Sequence, residues 1–290
     1  MIPFVTQPSL TLGPVTVHAF GAIVAAAVLA GLALGRRRFA RFGLDPGLGE
    51  GMAGWALVGG FVGAHVFSLV FYFPRELAAH PLRLFKIWED ISSFGSMLGG
   101  LTGIWLFLRR RGAALDGPTR WRYLDVAAFV FPFSLAIGRI ACSLAHDHPG
   151  GITTAPLAIS LRSEAARAYL AGVFADAGLP LPPAAVLATR GFHDLGWYEY
   201  LYLSAVVLPA LLWIDRRPRR PGVFLAAFVA LYMPVRFLLD RLRVSDARYA
   251  GLTPAQWTAL AMLGGLAAAW AAHARRRAPA GVPGEVLPRS

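Results

Sequence analysis

Four ionisable residues lie inside runs of sequence that are otherwise apolar enough to cross a lipid bilayer: Arg139, Glu199, Arg236 and Asp240. Charged side chains are costly in hydrocarbon, and those found there face the protein interior or a wet cavity. A guanidinium carries paired N–H donors that match the oxygens of a phosphate. The two arginines are therefore candidates for binding the phosphate of a lipid headgroup.

A purely structural interpretation of these charges stays open. Arg236 and Asp240 stand four residues apart and could neutralise each other on one helix, while Glu199 could neutralise Arg139. The arginines outnumber the acids, however, because two more follow the same run: Arg241 and Arg243. An excess of guanidinium at headgroup depth favours an anionic phospholipid as the ligand.

The triplet His146-Asp147-His148 follows Arg139 by about two turns and precedes a helix-ending Pro-Gly-Gly. Three interpretations stay open. The triplet is a metal site, since all three residue types are ligands, or it supplies a general base oriented by Asp147 or by the later His193-Asp194 pair. The third interpretation is a helix-end cap. No other His, Cys or acid stands at ligand spacing, which counts against the metal.

Other polar side chains are supporting candidates. Tyr198 directly precedes Glu199, and Tyr232 lies one turn before Arg236 in the sixth apolar run, on the same helical face. His18 falls in the first run, where an interhelical hydrogen bond is the commoner role. The single cysteine, Cys142, is expected to be a packing residue, because no basic neighbour in sequence marks it as a thiolate.

The elements that hold these residues are predicted to be membrane helices. Of the 290 residues, 56% are hydrophobic and 15% are charged, whereas soluble domains carry about 25% charge. The net charge of +12 does not indicate nucleic-acid binding, because the arginines form short clusters between apolar runs. A single cysteine excludes an internal disulfide and a CxxC motif. No basic residue precedes the first run, so that run is expected to be a retained span rather than a signal peptide.

Seven apolar runs are candidate spans, given that a helix needs about 20 residues to cross a bilayer. They cover residues 17–35, 52–72, 94–108, 124–146, 197–214, 222–240 and 255–273. The third run is short and rich in glycine, which indicates either close helix packing or an irregular entry.

Arginine clusters predict the orientation of these spans. Seventeen of the 28 Lys and Arg residues lie in the segments after the first, third, fifth and seventh runs. Basic loops stay in the cytoplasm, so the N-terminus is predicted to be outside and the C-terminus inside. The charged residues of the fourth, fifth and sixth runs then lie in the outer half of the membrane or at its outer surface.

The predicted fold class is an all-α integral membrane protein with about seven transmembrane helices. Residues 1–277 are predicted to form a single transmembrane domain with an outer excursion at 147–196. That excursion is expected to contain a short helix at Ser163–Ala177 and a proline-rich turn at 179–183. Residues 278–290 are predicted to be a disordered cytoplasmic tail.

From about residue 12 to residue 275 the chain resembles the prolipoprotein diacylglyceryl transferase family of bacteria. The resemblance rests on the order and spacing of short pieces on a seven-span frame. These pieces are Gly13–Gly21, Pro81–Trp88, Gly99–Gly103, Gly138-Arg139, His193 with Tyr198-Glu199, and Tyr232 with Arg236, Asp240 and Arg243.

The resemblance implies a reaction and its partners. The family moves a diacylglyceryl group from phosphatidylglycerol to the thiol of a lipobox cysteine in a lipoprotein precursor, and glycerol phosphate leaves. Arg139 and Arg236 match the arginines that bind the lipid phosphate, and no metal or other cofactor is implied. The expected location is the bacterial inner membrane, with membrane lipids and the precursor as partners and no nucleic acid.

Several positions depart from the family pattern. The histidine that usually precedes the glycines of the third span is Leu98 here, and a tyrosine of the first span is Phe20. The stretch after Gly138-Arg139 keeps only its acidic position, as Asp147. One hypothesis is an active transferase in which His146 or His148 supplies the base. The alternatives are a non-catalytic protein that binds or moves lipid, and a transporter for a small anion.

Overall fold

The structure, a computed structural model, describes residues 1–13, 15–86, 92–111, 115–244 and 246–277. Its α-helices are α1 (Ala19–Arg41), α2 (Pro46–Phe71), α3 (Pro74–Ala79), α4 (Ser93–Arg110), α5 (Gly117–Ala145), α6 (Glu164–Asp176), α7 (Ala184–Ala188), α8 (Leu195–Tyr202), α9 (Leu208–Asp215), α10 (Val223–Leu239) and α11 (Pro254–Arg277). Its strands are β1 (Ser9–Leu12), β2 (Val15–His18), β3 (Pro149–Thr153), β4 (Ile159–Ser160) and β5 (Gly191–Asp194).

Each of the seven predicted spans falls on a long helix. Five of these helices are long and apolar enough to cross a membrane: α1, α2, α5, the continuous helix Leu195–Asp215 that joins α8 to α9, and the extension of α10 to Leu242. The prediction of a helical, multi-pass membrane protein is therefore confirmed. Crossing by α4 and α11 stays a prediction, as do the total of seven spans and the orientation.

Glycines bring α2 and α4 into backbone contact. A Cβ atom on Gly99 would lie 2.0 Å from the carbonyl oxygen of Gly59 and 2.8 Å from the Cα atom of Gly63. Small residues allow membrane helices to approach this closely. Close packing is thus the correct explanation for the glycine-rich third run, and the segment at 87–91 that leads into α4 lies outside the described residues.

Gly99→Ala is expected to destabilise the protein by about 1–3 kcal/mol, because α2 and α4 must separate to admit the methyl group. Gly54→Ala is the matched control, since a Cβ atom there meets nothing within 4 Å. Thermal unfolding in detergent, followed by circular dichroism, compares the two variants. Equal melting temperatures would contradict the importance of this contact.

A buried ion pair joins α1 to α9 at the ends where arginines cluster. Arg38 donates to both carboxylate oxygens of Asp215, at 3.0 and 2.5 Å, and its guanidinium lies 3.4 Å from the ring centre of Phe129. Asp125 of α5 accepts a hydrogen bond from the N–H of Phe224 at the start of α10. These contacts fix the relative positions of the four helices that carry or flank the candidate site.

The predicted excursion contains a small sheet that the all-α fold class did not include. Strands β3, β5 and β4 form an antiparallel sheet in that order, and β1 pairs with β2 elsewhere. The predicted helix is confirmed as α6, with the Ser163 side chain accepting a hydrogen bond at its N-terminus. Strands of two to five residues are too short to show a period of two, so the sequence did not reveal them.

The domain prediction stays a prediction beyond these elements. The segment at 147–196 has its own small hydrophobic core, which includes Leu161, Leu170 and Phe192. Its position outside the cell stays a prediction. The predicted tail at 278–290 lies outside the described residues.

Candidate active site

Two arginines from separate helices converge on one buried carboxylate. Arg139 of α5 places Nη2 2.9 Å from Oε2 of Glu199, and Arg236 of α10 places Nη1 3.4 Å from Oε1. The Tyr232 hydroxyl donates to Oε2 at 2.5 Å. The structure therefore brings together four of the residues that the sequence singled out, including the predicted pairing of Tyr232 and Arg236 on one helical face.

A glycine explains how Glu199 reaches Arg139. A Cβ atom on Gly196 would lie 3.0 Å from the Cβ atom of Cys142, so α8 packs directly against α5 at this point. Glu199 lies one turn after Gly196, and Arg139 lies one turn before Cys142. Residues three apart share a helical face, so the two side chains meet across the contact. The sequence analysis did not identify Gly196.

Asp240 is a second acid that pairs with Arg236. Its Oδ1 atom accepts from Nη1 of Arg236 at 2.9 Å, and its second oxygen accepts from the Thr253 hydroxyl. Asp240 is fully buried. Arg236 is thus fixed between two acids, as buried charges require.

The guanidinium excess is smaller than the sequence predicted. Arg243 donates to Asp246 at 2.6 Å, and Asp246 was not among the candidates. Arg241 is exposed and lies 5.8 Å from the ring centre of Phe237. Both structural pairs that were considered from the sequence, Arg139 with Glu199 and Arg236 with Asp240, are present.

Arg139 nevertheless keeps unused hydrogen-bonding capacity. Its side chain is buried, and Nε makes no hydrogen bond to any described residue. Oε1 of Glu199 also accepts no hydrogen bond there. A buried polar group without a partner costs about 1–3 kcal/mol. An anion with oxygens beside Arg139 would supply an acceptor for the free donor.

His146 is held in a structural role. Its Nδ1 atom lies 2.7 Å from Asp194, and Nε2 lies 3.2 Å from the carbonyl oxygen of Val5. The ring stacks on Phe4, with 4.4 Å between ring centres. Both ring nitrogens face acceptors, which leaves neither available to take a proton from a substrate.

His148 lies on the side of the arginines. Its Nδ1 atom is hydrogen-bonded to Asp147, and within the described part of the chain Nε2 makes no hydrogen bond. Burial lowers the pKa of His148. The positive charges of Arg139 and Arg243 lower it further, whereas the hydrogen bond and negative charge of Asp147 raise it. A neutral imidazole that donates through Nδ1 carries its lone pair on Nε2.

Cys142, which was expected to be a packing residue, belongs to the same cluster. Its Sγ atom lies 3.6 Å from Nη1 of Arg139. One ligand atom each from Cys142, Asp147 and His148 lie within 4.8 Å of one another. Asp147 and His148 follow Cys142 by five and six residues, and such spacings do not share one helical face. They meet because α5 ends at His146, whose left-handed backbone (φ of 51°) turns the chain back.

The other candidates lie apart from this cluster. His193 and Tyr198 bond to each other, with 2.9 Å between Nδ1 and the hydroxyl oxygen. His18 is exposed at the start of α1, and its side chain makes no capping hydrogen bond. Leu98 lines an apolar groove of about 680 Å³ between α2 and α4, and Phe20 is half-buried in the first turn of α1.

Comparisons with known proteins identify the same family over most of the chain. A family model described as prolipoprotein diacylglyceryl transferase matches residues 8–272. The chain is 28% identical over 262 residues to the phosphatidylglycerol–prolipoprotein diacylglyceryl transferase of Chromohalobacter salexigens, covering 90% of this chain and 87% of the relative. It is 30% identical over 258 residues to the protein of the same name from Xanthomonas oryzae pv. oryzae, covering 82% and 79%. It is 29% identical over 269 residues to phosphatidylglycerol–prolipoprotein diacylglyceryl transferase 1 of Streptomyces coelicolor, covering 89% of this chain and 71% of the relative.

Proposed function

The chain belongs to the prolipoprotein diacylglyceryl transferase family, and we propose that it moves diacylglyceryl from phosphatidylglycerol to a lipobox cysteine of a lipoprotein precursor. One observation of the structure carries this proposal. Arg139 and Arg236 converge on Glu199, and Arg139 retains a buried donor without a partner. A headgroup phosphate would bind beside the two guanidiniums that Glu199 holds together.

In the proposed reaction the sulfur of the acceptor cysteine attacks the carbon of the diacylglyceryl group that is esterified to the phosphate. A C–S bond forms, the C–O bond breaks, and glycerol phosphate leaves with the electron pair. Negative charge grows on the leaving phosphate, and guanidiniums already held in position stabilise that charge without reorganising. Glu199 and Asp240 provide this positioning by fixing both arginines before the lipid arrives.

The thiol must lose its proton to become a good nucleophile. We assign the base to His148 rather than His146. The Nδ1 atom of His148 is oriented by Asp147, whereas both nitrogens of His146 are engaged by Asp194 and Val5. Asp147 is a positioning residue in this scheme, because its carboxylate selects the tautomer that leaves Nε2 as the acceptor.

The direct test is transfer by the purified full-length protein in vesicles that contain phosphatidylglycerol labelled in its acyl chains. A lipobox peptide is expected to gain the labelled diacylglyceryl group, and the same peptide with serine in place of cysteine is expected to gain none. Vesicles of phosphatidylethanolamine alone serve as the lipid control. Binding of phosphatidylglycerol by folded protein without any product would favour the non-catalytic alternative and reject the transferase.

The proposed orientation places the site on the outer face of the bacterial inner membrane. The arginine clusters support this orientation. A membrane-impermeant lipobox peptide is therefore expected to be modified when added to spheroplasts and to remain unmodified when added to inverted inner-membrane vesicles. The reverse pattern would place the site on the cytoplasmic face.

A further inference from the structure

We propose that Tyr202 is a positioning residue for the transfer reaction, because its hydroxyl holds Arg236 of α10 at the correct distance from Glu199 of α8. The inference rests on the proposed transferase function and adds a residue that neither the sequence pattern nor the family resemblance indicated. Tyr202 does not touch the lipid in this scheme. It acts through the Arg236 guanidinium.

Two tyrosines cross-link α8 and α10 in opposite directions. The Tyr202 hydroxyl of α8 donates to the carbonyl oxygen of Leu231 in α10, at 2.9 Å. The Tyr232 hydroxyl of α10 donates back to Oε2 of Glu199 in α8, at 2.5 Å. Tyr202 follows Glu199 by three residues and Leu231 directly precedes Tyr232, so the two bonds lie within one helical turn of each other. We call this pair of hydrogen bonds the tyrosine clasp.

Backbone packing does not fix the distance that the clasp spans. Along α8 and α10 the backbones hardly approach each other, whereas α8 packs directly on α5 at Gly196. The contact between Arg139 and Glu199 therefore follows from helix packing. The contact between Arg236 and Glu199 has no direct support of this kind, and it is the longer of the two, at 3.4 Å against 2.9 Å. Asp240 stands at the end of the same helix as Arg236, so their ion pair does not set the distance to α8.

Both helices are also interrupted next to the clasp. One π-helical turn, Leu203–Val207, starts directly after Tyr202, and Leu208 donates its N–H to the carbonyl oxygen of Leu203, five residues back. In α10, Pro234 lies inside the helix and has no N–H to donate to the preceding turn. Prolines and π-helical turns are the usual places where a helix bends. The backbone can therefore bend at the level of the site, and the clasp restrains it.

The position of Arg236 matters most when the C–O bond breaks. Negative charge on the leaving phosphate is then greatest, and a guanidinium stabilises it best when it is already in place. Arg139 remains paired with Glu199 when the clasp is lost, so the lipid still binds. Loss of the clasp is therefore expected to lower kcat with little change in KM, which is the pattern of an interaction made in the transition state.

Tyr202→Phe removes only the hydroxyl and tests this expectation. The full-length protein in phosphatidylglycerol vesicles is expected to lose about fivefold in kcat, the equivalent of about one hydrogen bond, while KM for the lipobox peptide stays within about twofold. Tyr200→Phe is the matched control and is expected to keep the wild-type kcat. Tyr200 lies on the same helix and stacks on Trp197, but its hydroxyl makes no hydrogen bond to any residue that the structure describes.

A second pair of variants separates positioning from a general structural role. If Tyr202 acts through Arg236, adding Tyr202→Phe to Arg236→Lys is expected to change kcat by less than about twofold, because lysine has already removed the guanidinium that the clasp places. A hydroxyl that only stabilises the fold would instead cause the same fractional loss in both backgrounds.

Melting temperatures in detergent check that all of these variants are folded. A wild-type kcat in Tyr202→Phe, or an equal loss with and without Arg236→Lys, would overturn the inference and leave the transferase function intact. Folded wild-type protein that transfers no lipid would reject the transferase function, and the inference with it.

Discussion

Arg139→Lys is expected to lower kcat/KM for diacylglyceryl transfer by about tenfold or more. Lysine keeps the positive charge, so Glu199 is not left as an uncompensated buried acid. A single ammonium cannot bind Glu199 and two phosphate oxygens in the fixed fork that guanidinium provides. A tenfold loss corresponds to about 1.4 kcal/mol of transition-state stabilisation. Initial rates are measured with phosphatidylglycerol vesicles and a saturating lipobox peptide.

Arg241→Lys is the matched control for this experiment. Arg241 stands five residues after Arg236 in sequence, but it is exposed and does not pair with Glu199. Its substitution is expected to leave the rate near that of the wild type. If Arg139→Lys also transfers lipid at nearly the wild-type rate, the Arg139 guanidinium does not bind the phosphate. Its ion pair with Glu199 then has only a structural role.

The membrane helices could be predicted from the sequence because one physical property dominates them. Each predicted run coincides with a long helix to within a few residues at most ends, since apolar length alone decides where a chain can span a bilayer. The helix α6 was also predictable from its local sequence. The sheet formed by β3, β5 and β4 was not, because its strands pair across more than 30 residues and are too short to show a pattern.

The site was only partly predictable for a related reason. An ionisable residue is easily recognised inside an apolar run, so Arg139, Glu199 and Arg236 could be identified from the sequence. The contact of Gly196 with α5 depends on how helices pack, and Asp246 lies outside the apolar runs, which is why these two residues were missed. The different roles of His146 and His148 follow from one left-handed residue that ends α5, and sequence spacing does not contain that information.

His148→Gln is expected to reduce transfer by about 100-fold or more, because it removes the imidazole that takes the thiol proton. Glutamine approximates the size of histidine and can still hydrogen-bond to Asp147, so the fold is expected to persist. The measurement is the single-turnover rate with phosphatidylglycerol and lipobox peptide, together with the melting temperature.

His146→Gln is the matched control, since the two histidines are two residues apart and both are buried. It removes the contacts with Asp194 and Val5 and is expected to lower the free energy of unfolding by about 1–3 kcal/mol. Because both nitrogens of His146 are engaged by Asp194 and Val5, His146 is not the base, and the folded fraction is expected to keep most of its turnover. The assignment of the base to His148 requires this contrast. If His146→Gln lost turnover while His148→Gln kept it, the assignment of the two histidines would be reversed.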